Sequence, residues 1–111
     1  MQIAMIGTGY VGLVTGACFS EFGAVVTCVD SDKVKIERLN NGEIPIFEPG
    51  LEALVHSNVK AGRLFFSCNL RTAVANSDAV FIAVGTPSRR GDGHADLTYV
   101  FSAAKEIAEA L

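Results

Sequence analysis

The apolar run Ile3-Ala4-Met5-Ile6 leads directly into Gly7-Thr8-Gly9-Tyr10-Val11-Gly12, a G-x-G-x-x-G spacing that restricts the fold more than any other stretch. A second apolar run, Ala24-Val25-Val26-Thr27-Cys28-Val29, ends on the acid Asp30, which follows Gly12 by 18 positions. The order strand, glycine turn, helix, strand, acid is the layout of a dinucleotide site. Gly7 lets the chain turn sharply out of the strand, Gly9 leaves room for backbone to approach a diphosphate, and Gly12 lets the helix lie close to the sheet. A helix starting at Tyr10 presents unpaired N–H groups and a partial positive charge to that diphosphate. Asp30 accepts hydrogen bonds from ribose hydroxyls and repels a 2′-phosphate, so the residues point to NAD over NADP.

Composition narrows the classes. The chain has 111 residues, half of them hydrophobic and 19% charged, which suits one small globular domain and not a disordered segment. Net charge is −3, and no basic run extends beyond Arg89-Arg90, so neither nucleic acid nor a membrane surface is expected as a partner. No apolar run reaches the ~20 residues of a membrane span, and no basic segment precedes the first strand as a signal peptide requires. Cys18, Cys28 and Cys68 lack metal-type spacing and fall within expected helix or strand segments. Scattered buried thiols of odd number suit a reducing cytoplasm.

The remaining chain alternates periods. Strands are expected at about 2–6, 24–29, 64–68 and 79–84, the last ended by Gly85-Thr86-Pro87. Helices are expected at about 10–22, 32–41, 70–76 and 97–110. Gly23 stops the first, Ser31 caps the second and Asp96 caps the last. Pro45 and Pro49 exclude regular helix over Glu43–Gly50, and a further short helix starts near Pro49 carrying Leu51, Leu54 and Val55. Gly12 and Gly16 share one helix face, which implies close packing on the sheet. The result is an α/β, Rossmann-type parallel sheet of order 3-2-1-4 with helices on both faces. Gly7–Val11, Asp30 and Gly85–Pro87 then meet at the carboxyl ends of the strands.

These residues resemble the NAD-binding part of the UDP-glucose/GDP-mannose dehydrogenase family. The matching stretches are Gly7–Leu13, Val29-Asp30, Asn41–Leu51 and Val84–Ser88, so the resemblance covers nearly the whole chain. The wording Ile46-Phe47-Glu48-Pro49-Gly50-Leu51 favours the branch acting on UDP-glucose over the one acting on GDP-mannose. The resemblance implies that Tyr10 and Val11 meet the diphosphate through their backbone and that Asp30 takes the adenosine ribose. It also implies that Lys35 approaches the same ribose and that Thr86 contacts the dinucleotide from the fourth strand. Taken alone, Lys35 reads as a solvated helix lysine, Thr86 as a turn former before Pro87, and Tyr10 as a packing residue. Family members oxidise C6 of a nucleotide sugar to a carboxylate, consuming two NAD⁺, with a cysteine nucleophile that belongs to a later part of a longer chain. None of the three cysteines here matches it; core packing is the expected role. The chain therefore reads as residues 1–111 of an NAD-binding domain, truncated at its C-terminus and inactive alone. No catalytic residue is expected within it, and the full-length enzyme is expected to be a homo-oligomer. UDP-N-acetyl-sugar oxidation, GDP-mannose oxidation and a non-catalytic nucleotide-binding module are the alternatives.

Two further constellations carry less. Asp92-Gly93-His94-Ala95-Asp96 alternates possible metal ligands but lacks a bidentate glutamate and a second histidine, so a loop with a helix cap is expected and no metal. His56 and the Arg89-Arg90 pair read as solvated side chains.

Overall fold

The computed structural model describes residues 1–85 and 97–111. Its core is a parallel sheet of β1 (Gln2–Ile6), β2 (Val25–Val29), β3 (Leu64–Ser67) and β4 (Ala79–Ile82). The strand order is β3-β2-β1-β4, the expected one. Ile3 of β1 lies opposite Val26 of β2 on one side and Ala79 of β4 on the other. The helices are α1 (Tyr10–Glu21), α2 (Lys33–Asn40), α3 (Leu51–Lys60), α4 (Leu70–Ala75) and α5 (Thr98–Ala110).

Strand alternation divides the apolar residues between two layers. Ile3 and Met5 of β1, Val26 and Cys28 of β2, and Leu64 and Phe66 of β3 pack with Leu13 and Ala17 of α1, with α2 and with α3. Ala4 and Ile6 face the other way and pack with Val74 of α4 and Ala103 of α5. Because β1 is buried on both faces, its run is continuously apolar. Glycine sets the closeness of α1. A Cβ on Gly12 would overlap the Gly7 carbonyl oxygen, and one on Gly16 would stand 2.8 Å from Cys28 Sγ. Gly7 adopts φ +111°, and a Cβ there would stand 2.5 Å from the Ala83 carbonyl oxygen, so no other residue fits this corner.

Three expectations need correction. The cap of α2 is Asp32, not Ser31: its Oδ1 accepts the N–H groups of Val34 at 3.1 Å and Lys35 at 3.2 Å. The helix begins one residue later than expected, which puts the Asp32 oxygen over the first turn. Strand β4 ends at Ile82, and Ala83 and Val84 line the cleft beyond it. As an edge strand it leaves Phe81 and Ile82 partly exposed, although its sequence is wholly apolar. The cysteines are not all buried: Cys28 is, Cys18 is half-buried, and Cys68 is exposed just beyond β3. Thr86, Arg89, Arg90, Asp92, His94 and Asp96 lie outside the described residues. His56 is exposed as expected, with Nε2 3.0 Å from the Gly42 carbonyl oxygen.

Candidate dinucleotide site

A cleft of about 920 Å³ opens at the carboxyl ends of the strands. Its floor is the turn from Ile6 to Val11; Asp30 and Lys35 form one side, and Ala83–Gly85 the other. Tyr99 and Glu106 of α5 line the wall across from α1. Parallel strands deliver these segments to one place because every strand ends on the same side. Gly7 N–H donates to the Val29 carbonyl at 2.7 Å, and Ala83 N–H to the Ile6 carbonyl at 2.7 Å, so the three strand ends are tied where the cleft begins.

The residues at the cleft divide by what they offer. Gly9 is the N-cap of α1, with extended backbone, and a Cβ built on it meets nothing within 4 Å among the described residues. The space beside Gly9 is open, whereas the space beside Gly7 and Gly12 is filled by protein. Among the described residues no side chain caps α1, and no acid stands in its first turn, so its leading N–H groups and positive dipole end face the cleft. Tyr10 and Val11 are exposed at that end. Gly12 does not line the cleft; it is buried within α1, against the Gly7 carbonyl, and acts by letting the helix pack.

Asp30 is held from several directions. Its Oδ2 accepts the Thr8 hydroxyl at 2.7 Å and the Thr8 N–H at 3.2 Å, while Oδ1 accepts the Asp32 N–H at 3.0 Å. Lys35 Nζ stands 3.7 Å from Oδ2. Desolvation alone would raise the carboxyl pKa; the Asp32 N–H, the two Thr8 donors and the Lys35 charge outweigh it and hold the group below its usual value. Asp30 is therefore a fixed anion with hydrogen-bonding capacity to spare, as recognition of a ribose diol demands.

Sequence reasoning passed over three residues here. Thr8 was only the variable position between two glycines, yet it is fully buried and bonded to Asp30. Glu48 accepts the Tyr10 hydroxyl at 3.2 Å, tying the proline-rich loop to the start of α1 and raising the Tyr10 pKa. Cys68 lines the cleft instead of the core. Proximity across 38 residues, as for Tyr10 and Glu48, leaves no local signal; for Thr8 the signal was its place between two glycines at a strand end.

A diphosphate beside Gly9 and a ribose at Asp30 fit this geometry, and comparison with known proteins agrees. A family model described as the NAD binding domain of the UDP-glucose/GDP-mannose dehydrogenase family matches residues 1–111. The chain belongs to that family. Among similar proteins, a UDP-glucose 6-dehydrogenase of Rhizobium meliloti is 68% identical over 97% of this chain and 25% of its own length. A UDP-glucose 6-dehydrogenase of Bacillus subtilis is 56% identical over 99% of this chain and 24% of its own. The crystal structure of a ternary complex of GDP-mannose dehydrogenase from Pseudomonas aeruginosa superposes with a TM-score of 0.94 at 44% identity, over 99% of this chain and 25% of that one. The chain thus spans about a quarter of the length of these relatives, and its cofactor is NAD.

Proposed function

We propose that this chain is the NAD-holding part of a nucleotide-sugar 6-dehydrogenase that oxidises UDP-glucose to UDP-glucuronate with two NAD⁺. The observation that carries the substrate choice is the 68% identity, over nearly the whole chain, to a protein named UDP-glucose 6-dehydrogenase. Bound NAD supplies the hydride acceptor. The chain's own residues bind and orient it. The open corner at Gly9 and the N–H groups at Tyr10 and Val11 receive the diphosphate. Gly7 and Gly12 give that corner its shape. Asp30 accepts the adenosine ribose hydroxyls, Lys35 lies beside the same ribose, and Thr86 reaches the cofactor from the fourth strand. No catalytic residue of the sugar oxidation belongs to these 111 residues, so the chain alone binds and does not turn over. Cytoplasmic residence and homo-oligomeric assembly of the whole enzyme belong to the same proposal. The free thiols among the described residues support the first of these.

Two measurements test it. Calorimetry on the chain should show NAD⁺ binding, with NADP⁺ much weaker because Asp30 repels a 2′-phosphate. Assay of the whole enzyme with UDP-glucose, GDP-mannose and UDP-N-acetylmannosamine should give two NADH per molecule of UDP-glucose. Preference for either other sugar overturns the substrate, and binding without turnover of any sugar favours a non-catalytic module.

A further inference from the structure

The usual account of such a cleft credits the acid at the end of the second strand with reading the ribose. The geometry shows how that acid is aimed. Thr8 is fully buried, lies 22 residues before Asp30, and spends both its hydroxyl and its backbone N–H on one carboxylate oxygen. With Lys35 at 3.7 Å, Oδ2 is surrounded by donors. Oδ1 accepts only the Asp32 N–H among the described hydrogen bonds. A carboxylate oxygen has two lone pairs, so Oδ1 retains acceptor capacity for a ligand hydroxyl. We propose that Thr8 is a positioning residue for cofactor selection, fixing Asp30 so that its free acceptor capacity meets a 2′-hydroxyl and its charge rejects a 2′-phosphate. This rests on the reading of the cleft as the NAD site.

A buried hydroxyl bonded at 2.7 Å to a charged group does more than close a turn. A flexible aspartate would swing away from a 2′-phosphate, and the discrimination would weaken. Thr8 withholds that freedom. The Asp32 N–H steadies Oδ1, whereas Thr8 steadies Oδ2, the oxygen nearest Lys35. The carboxylate of Asp32 is occupied at the α2 cap, and Lys35 is a single flexible cation. Tyr10, Cys68 and Glu106 line the same cleft from the α1, β3 and α5 sides without a hydrogen bond to Asp30 among those described.

The test uses T8V, which keeps the shape and removes the hydroxyl, and T8S, which keeps the hydroxyl and removes a methyl. T8V should bind NAD⁺ up to about tenfold more weakly at neutral pH, the cost of ordering a freed Asp30 on binding. Its preference for NAD⁺ over NADP⁺ should narrow. Affinity falls as pH drops through the Asp30 titration, which lies below the usual carboxylate value, so the acid limb of the T8V profile, followed from about pH 7 to about pH 2.5, should move to higher pH. The Asp30 carboxyl carbon, observed by NMR without ligand, should titrate higher in T8V and as wild type in T8S. T8S should restore affinity, preference and profile. Wild-type affinity and profile in T8V would overturn the inference alone, as would equal losses in T8V and T8S. Absence of NAD⁺ binding in the wild type would overturn the site itself.

Discussion

Gly9 and Asp30 divide the recognition of the cofactor into space and charge. Because none of the described residues stands within 4 Å of a Cβ at Gly9 and its φ of −73° suits any residue, Gly9→Val should leave the fold and its melting temperature nearly unchanged. It should abolish NAD⁺ binding by calorimetry, since the valine fills the diphosphate's place; retained binding would move the diphosphate elsewhere. Asp30→Ala should cost about 1.5–3 kcal/mol of NAD⁺ affinity, the worth of hydrogen bonds to a charged group. The thiols separate by burial. Cys28 is pushed from 9.0 up to about 12 by desolvation, so it stays neutral and inert in the folded chain. Cys68 is exposed in the cleft. An alkylating reagent at about pH 8 should therefore label Cys68 first and Cys28 only on unfolding. Saturating NAD⁺ should slow the labelling of Cys68, and equal rates with and without it would place the cofactor away from β3.

Helix α1 is the element whose fit matters most, because it must reach the cleft and lie against the sheet at once. Gly16 makes that fit possible. Alanine there gains roughly 1 kcal/mol of helix propensity but meets Cys28 Sγ at 2.8 Å in a buried layer. Overpacking of about 1–3 kcal/mol should win, so Gly16→Ala should unfold at lower urea than wild type. A more stable variant would mean that β2 shifts to accept the methyl. The pairing of Gly12 with Gly16 at helical spacing made this closeness legible in the sequence. The cap of α2 was harder, because Ser31 and Asp32 are both good caps, and only the path of the chain after Asp30 chose between them. Likewise the strand-four run was identical in character to β1, but its place at the sheet edge left Phe81 and Ile82 partly exposed.

At the scale of the molecule, ligand and proton linkage report on the whole fold. NAD⁺ at about 100 times its Kd should add about 2.7 kcal/mol to stability and raise the melting temperature, with a much smaller rise for NADP⁺. The pH dependence follows from two groups. Asp30 titrates below its usual value when folded, so its contribution is present above the ordinary carboxylate range and lost as pH falls through the folded value. Cys28 titrates above its usual value, so its contribution is present below 9.0 and lost as pH rises towards about 12. Urea unfolding across pH should show both limbs, Asp30→Asn flattening the acid one and Cys28→Ala the alkaline one.

The order of the strands, the glycine corner and the acid across from it were all legible in the sequence. They depend on local backbone chemistry and on periodicity, which a linear chain displays directly. Tertiary structure alone decided that Thr8 grips Asp30, that Glu48 reaches Tyr10, and that Cys68 opens onto the cleft. Each of those depends on two strand ends or loops arriving side by side from positions distant in sequence, and such meetings are fixed by the packing of the sheet.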